Sequence, residues 1–136
     1  MRSCTAVLVI SVLVVWAAAA EPAGSGRKTR SPSGQQLYAN HCAVCHGFDA
    51  KGGGAMAPQM KVWPPDLTLL AANNHGTYPA LHVNEAIDGE FGKASHGSRE
   101  MPVWGPVFRK AATGYGDSAQ LRIDNLVKYI ESLQER

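Results

Sequence analysis

The sequence has little of what usually reveals a function at first sight. Its 136 residues include three cysteines, and aromatic residues make up 7%. The formal net charge is only +2, so the chain lacks the basic surplus that nucleic-acid-binding domains carry, and we expect no nucleic acid partner. It also shows no internal repeat and no strand-like alternation of apolar and polar residues, which leaves helices as the expected regular structure.

Only one long apolar run is present, and it lies at the N-terminus. Arg2 precedes it, residues 6–16 are apolar apart from Ser11, and residues 17–20 are alanines. This layout is typical of a secretory signal peptide. We therefore expect residues 1–20 to be removed after Ala20, with Ala23 as the alternative site. Because a signal peptide directs export, the mature chain is predicted to be periplasmic. Because the run is short for a membrane-spanning helix and is removed, the mature chain is predicted to have no membrane span.

The rest of the chain divides into a leader and one domain. Residues 21–32 are rich in glycine, serine, proline and charge, so they are interpreted as a flexible leader, and residues 33–136 as a single domain. Asp66 is a predicted helix N-cap, Gly89 a helix end, and Asp117 or Ser118 the cap of the last helix. The predicted helices cover residues 34–41, 66–72, 80–88 and about 118–134.

Loops rich in glycine and proline connect these helices, at residues 47–65 and 91–105. In the last helix, the apolar positions that recur at steps of three and four are Leu121, Leu126, Tyr129, Ile130 and Leu133, with Ile123 slightly off that face. The predicted fold is therefore all-α, with about four short helices. A domain of this size is marginally stable, so we expect a large apolar prosthetic group at its centre, with the loops wrapped around it.

The motif Cys42-Ala43-Val44-Cys45-His46 indicates what that group is. After loss of Cys4 with the signal peptide, its two cysteines are the only ones left in the chain. Cys-x-x-Cys-His is the attachment signature of haem c, in which two thiols form thioethers with the macrocycle and the histidine binds the iron. A thioredoxin-like pair needs a preceding strand, a zinc knuckle needs a second Cys/His pair, and a disulfide does not explain His46. We therefore predict one covalent haem c per chain.

The second axial ligand is harder to assign, and it determines the chemistry of the iron. The candidates are Met56, Met60 and Met101 among thioethers, and His75, His82 and His96 among imidazoles. His41 is too close to the attachment turn to reach across a haem. Met101 is the preferred ligand because Pro102 and Pro106 stiffen the backbone that carries it. His96, in the same loop, is the alternative.

Other residues are predicted to support the haem. The carbonyl of Pro58 is the candidate acceptor for the second ring nitrogen of His46. Hydrogen bonds to the haem propionates are expected from side chains that include Trp63, Trp104, Tyr78, Arg99 and Arg109. Simple packing of the aromatic rings against the haem remains the alternative.

These motifs resemble the class I c-type cytochrome family, of the bacterial periplasmic kind. The similarity spans residues 33–134 and includes residues 34–47, Ala57-Pro58, residues 65–68, Met101-Pro-Val-Trp-Gly105 and residues 126–130. It implies that the first and last helices cross, with Gly34 and Tyr38 against Leu126 and Tyr129. It also implies His46 and Met101 as axial ligands and Pro58 as the acceptor for His46.

The function that follows from the motif and the resemblance is electron transfer rather than catalysis. The expected partners are redox proteins: a periplasmic dehydrogenase, an oxidase or a membrane cytochrome complex. The chain is expected to be a monomer or a subunit of a heteromer. Two alternatives stay open: a cytochrome subunit of a dehydrogenase or oxidase complex, and a haem enzyme or gas sensor whose distal ligand is displaceable.

Overall fold

A computed structural model describes residues 30–89, 101–114 and 116–135. Its five α-helices are α1 (Gly34–His41), α2 (Ala43–His46), α3 (Ala80–Asp88), α4 (Trp104–Ala111) and α5 (Ala119–Ser132). Three short 3-10 turns lie at Ala57–Gln59, Leu67–Leu69 and Ala72–Asn74. Within the described ranges there is no strand, only an isolated bridge between Gly114 and Asp117. The predicted all-α class is confirmed.

Helix α1 begins at a capping box, and its predicted bounds are confirmed. The Ser33 hydroxyl accepts from the backbone N–H of Gln36 at 3.2 Å, and the Gln36 carboxamide accepts from the backbone N–H of Ser33 at 3.0 Å. This reciprocal pair satisfies two N–H groups that a helix start leaves without a partner. The sequence Ser-x-x-Gln therefore fixes where the first helix starts.

Helices α1 and α5 cross in direct contact, as the resemblance implied. A side chain on Gly34 would place its Cβ 2.0 Å from the carbonyl oxygen of Asn125 and 2.6 Å from Cβ of Tyr129. The rings of Tyr38 and Tyr129 lie 5.4 Å apart at the same crossing. Glycine is required at position 34 because the two backbones touch there.

Helix α5 is the centre of the core, since α1, α3 and α4 all pack on it. The largest fully buried side chains are Leu37, Tyr38, Phe108, Ile123 and Leu126. Two residues of α5 differ from the predicted apolar face. Ile123, predicted slightly off the face, is buried, and Leu121, predicted on it, is 38% exposed. A helix with neighbours on several sides buries a wider face than a single apolar stripe suggests.

The predicted helix over residues 66–72 is two 3-10 turns instead. Its cap is confirmed, since the Asp66 carboxylate accepts from the backbone N–H of Thr68 at 2.8 Å. An α-helix would next join the N–H of Ala71 to the carbonyl of Leu67. The Gln134 carboxamide lies between these groups, accepting from Ala71 at 2.8 Å and donating to Leu67 at 2.7 Å. A tertiary contact thus replaces the helical bond.

Helix α3 has its predicted bounds, Ala80–Asp88, and ends at Gly89 in the left-handed conformation. Helix α4 was not predicted, because Gly105 and Pro106 resemble helix breakers. Pro106 occupies the third position of α4, where a backbone N–H has no intrahelical partner, so proline costs little there. Gly105 is needed for packing, since a Cβ would lie 1.8 Å from the Asp88 carboxylate.

Candidate functional site

The Cys-x-x-Cys-His motif forms one turn of helix that continues from α1. The backbone N–H of Cys42 bonds to the Tyr38 carbonyl at 2.8 Å, and that of His46 bonds to the Cys42 carbonyl at 2.9 Å. Residues three and four apart on a helix lie on the same face. The turn therefore presents Cys42, Cys45 and His46 in one direction.

Both cysteines of the turn are free thiols in different surroundings. Cys42 is 7% exposed, and Cys45 is half-buried. Burial, with a smaller effect from the charge of Cys45, raises the pKa of the Cys42 thiol to about 12. The folded environment thus keeps Cys42 protonated at neutral pH.

A glycine-rich loop closes over the end of the turn. The backbone N–H of Gly52 bonds to the His46 carbonyl at 2.8 Å, and that of Gly54 bonds to the Cys45 carbonyl at 3.0 Å. These bonds satisfy carbonyls that the end of a helix leaves without a partner. A Cβ at Gly54 would lie 2.5 Å from the Cys45 carbonyl, so the loop can approach this closely only as glycine. The glycine run therefore holds the attachment turn in place.

A buried tyrosine anchors the same turn from the core. The Tyr38 hydroxyl donates to the carbonyl of Gly47 at 2.9 Å. Burial is the main reason why the pKa of Tyr38 lies above its usual value, so the hydroxyl stays a donor. The Gly47 backbone has a positive φ of 79°, which lets the chain leave the helix directly after His46.

His46 is buried, and one of its ring nitrogens has a backbone partner. Its Nδ1 lies 3.3 Å from the carbonyl oxygen of Pro65. A carbonyl can only accept, so Nδ1 carries the proton and the lone pair is on Nε2. Burial lowers the pKa of His46, while the bond to Pro65 partly opposes this. The ring is therefore neutral and oriented, with Nε2 available to a metal.

The acceptor is Pro65 rather than Pro58, so the prediction of Pro58 was wrong. Pro58 lies exposed in the 3-10 turn Ala57–Gln59. The loop brings Pro65 to His46 instead, because the backbone N–H of Leu67 bonds to the Ala50 carbonyl at 2.8 Å. Pro64 also packs on Gly52, where a Cβ would lie 2.2 Å from the Pro64 carbonyl. The Pro64-Pro65 pair was the feature of the sequence that could have indicated this acceptor. Pro64 contacts Gly52 of the loop after the attachment turn, and Pro65 contacts His46.

A cleft with a volume of about 30 Å³ lies next to the attachment turn. It is lined by residues from the turn, from the loop after it and from the start of α4: His41, Cys42, Cys45, His46, Met60, Met101, Pro102 and Trp104. Six of the candidates named from the sequence thus come together, namely Cys42, Cys45, His46, Met60, Met101 and Trp104. His41 also lines the cleft, a position that was not predicted from the sequence.

One wall of this cleft is aromatic. The Trp104 ring lies 4.9 Å from the His41 ring and 5.9 Å from the Phe108 ring, the latter in a stacked arrangement. Burial, and then the charge of Arg122, lowers the pKa of His41, so the ring favours its neutral form. A flat apolar surface of this kind suits a planar aromatic ligand.

Several residues predicted to support a haem do not line the cleft. Trp63 is 60% exposed. The Tyr78 hydroxyl donates to the Val127 carbonyl at 3.0 Å, and Arg109 pairs with Asp88 at 3.3 Å. Arg99 lies outside the described residues. Among the candidates that the structure describes, only Trp104 lines the cleft.

The alternative axial ligands are also separated by the structure. Met60 lines the cleft together with Met101, whereas Met56 is 41% exposed and does not. His75 and His82 are exposed on the surface. His96 lies outside the described residues. Among the described candidates, the cleft therefore holds two thioethers, Met60 and Met101.

The donor set of this cleft fits a covalently bound iron porphyrin. Two thiols one helical turn apart can hold a macrocycle edge, and a neutral imidazole with a fixed Nδ1–H offers Nε2 to iron. A thioether is a known second ligand for such iron. No group of three or more His, Cys, Asp or Glu side chains that could hold a bare metal ion occurs among the described residues.

Comparison with known families agrees with this chemistry. The family model described as Cytochrome c matches residues 31–134. The chain belongs to the cytochrome c family. Members of this family bind haem c covalently and act in electron transport, generally as carriers rather than enzymes. This cytochrome therefore has a function in haem-based electron transfer, with redox partners.

Searches of curated proteins and of solved structures gave no match for this cytochrome. Family members are typically extracytoplasmic. In the described part of the chain, no helix is both long enough and apolar enough to cross a membrane.

Proposed function

We propose that this cytochrome is a periplasmic one-electron carrier with one haem c, bound through Cys42 and Cys45 and ligated by His46 and Met101. The bound haem supplies an iron that changes between its ferric and ferrous states. The protein holds both ligands in place through that change, so little needs to rearrange.

The observation that carries this proposal is the position of Met101. It is distant in sequence from the attachment turn, yet its side chain lines the same cleft as both thiols and His46. Pro102 follows it, and α4 starts at Trp104, so Met101 is attached to a rigid element. A thioether ligand favours ferrous iron and raises the reduction potential.

The surrounding residues would limit access to the iron. The Pro65 carbonyl fixes the His46 ring, and the rings of Trp104 and His41 form one side of the cleft, which would limit the entry of water. With both axial positions filled by the chain, no site would remain for a substrate or a gas. This is why electron transfer is preferred to the haem enzyme or gas sensor.

The test of the ligand assignment is the ferric absorption spectrum. The wild type should show the charge-transfer band of methionine-ligated haem, and Met101→Ala should lose it. Met56→Ala is the exposed control. Met60→Ala is the stricter one, because Met60 lines the same cleft. Loss of the band in Met60→Ala but not in Met101→Ala would overturn the assignment, and ready carbon monoxide binding by the wild type would contradict a closed distal side.

The stoichiometry and location are tested separately. An alkaline pyridine spectrum of the denatured, washed protein should show one haem per chain with two saturated vinyl groups. We propose that residues 1–20 are a signal peptide, residues 21–32 a leader and residues 33–136 the cytochrome domain. The N-terminal sequence of the mature protein from a periplasmic extract should begin at Glu21, or at Gly24 if Ala23 is the cleavage site.

The alternative within the same chemistry is a cytochrome subunit of a periplasmic dehydrogenase or oxidase. The haem site would be identical, and only the assembly would differ. Purification from the native host separates the two, since a subunit co-elutes with a larger catalytic chain.

A further inference from the structure

The C-terminal end of the described chain is bonded to a loop that lies next to the attachment turn. The Gln134 carboxamide donates to the Leu67 carbonyl at 2.7 Å and accepts from the backbone N–H of Ala71 at 2.8 Å. The backbone N–H of Glu135 bonds to the Thr68 carbonyl at 2.9 Å. We call Gln134 and Glu135 the C-terminal clasp. Its three hydrogen bonds join segments that are far apart in the sequence.

A rigid turn connects the clasp to the carbonyl that faces His46. The Asp66 carboxylate accepts from the backbone N–H and from the hydroxyl of Thr68, at 2.8 and 2.6 Å. These bonds hold the backbone of the residues that separate Pro65 from Thr68. A displacement of the Leu67 or Thr68 carbonyl would therefore move Pro65 as well, because the turn between them cannot absorb it.

The bond that the Pro65 carbonyl forms is sensitive to such a displacement. Its oxygen lies 3.3 Å from Nδ1 of His46, whereas bonds of this kind are usually about 2.7–3.2 Å long. At this length, a small movement of the carbonyl decides how strongly it accepts. A hydrogen bond at Nδ1 raises the basicity of the imidazole, and Nε2 is the nitrogen that is available to iron. The position of Pro65 therefore influences how well His46 stabilises ferric iron.

The loop has a local alternative to the clasp. Without the Gln134 carboxamide, the N–H of Ala71 and the carbonyl of Leu67 can bond to each other as in an α-helix. The N–H of Leu67 bonds to the Ala50 carbonyl at 2.8 Å, so the clasp and this bond hold Leu67 from two sides. Loss of the clasp would let the loop shift relative to the attachment turn.

We propose that the C-terminal clasp positions the Pro65 carbonyl against His46 and thereby lowers the reduction potential of the protein. The proposal rests on the electron-carrier function proposed above and adds a positioning role for two residues near the end of the chain. Neither residue of the clasp is among the described residues that line the cleft, so both act through the Asp66 turn. Release of the clasp weakens the bond at Nδ1, which makes the imidazole a poorer ligand for ferric iron and favours the ferrous state.

The test is the reduction potential of the holoprotein, measured by redox titration of its absorption spectrum. In Gln134→Leu, the ratio of ferrous to ferric protein at a fixed potential should be about threefold above that of the wild type. Gln120→Leu is the matched control, because it makes the same change at an exposed position of α5. It should leave the ratio unchanged, and an unchanged ratio in Gln134→Leu would overturn the proposal.

A second pair of variants tests the backbone bond of the clasp. Glu135→Pro removes the N–H that bonds to Thr68, whereas Glu135→Ala retains it. Both variants lose the 2.7 Å ion pair with Lys51, so they have the same charge. The ferrous-to-ferric ratio should be about twofold higher in Glu135→Pro than in Glu135→Ala. Equal ratios would overturn the role assigned to Glu135.

Proton magnetic resonance of the ferrous protein separates positioning from a mere loss of stability. The signal of the His46 Nδ1 proton should move upfield and exchange faster with solvent in Gln134→Leu, but not in Gln120→Leu. The charge-transfer band of methionine-ligated ferric haem should persist in both. Loss of the band in Gln134→Leu would assign the effect to the other axial ligand and overturn the proposal, as would an unchanged Nδ1 proton. Absence of a reversible ferric/ferrous couple in the wild type would overturn the electron-carrier function itself.

Discussion

Replacing Gln134 by leucine should remove the contact that keeps residues 67–71 from forming a helix. The carboxamide makes three hydrogen bonds, with Ala71 N–H at 2.8 Å and with the carbonyls of Leu67 and Ile130 at 2.7 and 2.9 Å. Each bond contributes about 1 kcal/mol net. Since Ala71 and Leu67 can then bond to each other, the loss should be about 2 kcal/mol rather than the full sum.

The assay is guanidinium unfolding of the holoprotein followed by circular dichroism. Gln120→Leu is the matched control, because Gln120 is an exposed residue of α5 whose amide donates only to the Asp124 side chain among the bonds described for it. Its unfolding free energy should change by less than about 0.5 kcal/mol. Equal stability of the two variants would refute the reasoning, because residues 67–71 would then lose nothing without the carboxamide.

The remaining predictions concern packing, pH and the haem. Gly34→Ala should lower the unfolding free energy by about 3 kcal/mol, because the added Cβ would lie 2.0 Å from the Asn125 carbonyl oxygen. Gly53→Ala is the control: a Cβ there has no neighbour within 4 Å, so the unfolding free energy should change little in the same denaturant assay. The two hydrogen bonds from Arg122 hold the pKa of Asp117 well below its usual value. A carboxyl with a depressed pKa stabilises the fold above its ordinary pKa of about 4 and loses that contribution as the pH falls further. The unfolding free energy of Asp117→Asn should therefore be about 3 kcal/mol below that of the wild type at neutral pH, and this difference should become smaller in acid. A difference that does not change with pH would contradict this, as would the same pH dependence in Asp49→Asn, the control at an exposed site. Cys42→Ala/Cys45→Ala should yield a largely unfolded chain by circular dichroism, and a cooperatively folded apoprotein would refute the haem-dependent core.

The sequence was most informative where the physics is local. The capping box at Ser33 and Gln36 and the stop at Gly89 depend on neighbours a few residues away, and the bounds of α1 and α3 were predicted correctly. The turn from Cys42 to His46 is likewise made from adjacent residues. The structure of such motifs depends mainly on residues within the motif itself, so it can be predicted from the local sequence.

Predictions failed where distant residues decide the outcome. Pro65 accepts from His46 because residues 64–67 fold onto Gly52 and Ala50, and the double proline alone does not indicate which distant residues it contacts. The segment after Asp66 depends on Gln134, at the other end of the domain. Helix α4 was missed because Pro106 was taken as a helix breaker. It lies in the first turn of α4, where proline is tolerated, and the sequence alone does not show where that turn begins.

Burial of the Cys42 thiol has a consequence for the order of assembly. In the folded chain this thiol is 7% exposed, and its pKa is raised to about 12, so it is neither accessible nor nucleophilic. We therefore expect the bond from Cys42 to a haem to form before the polypeptide folds around this side chain. Helix α5, which packs on α1 just before Cys42, lies far along the sequence from this residue. Folding of the haem-free chain should therefore slow the attachment of haem at Cys42 rather than assist it.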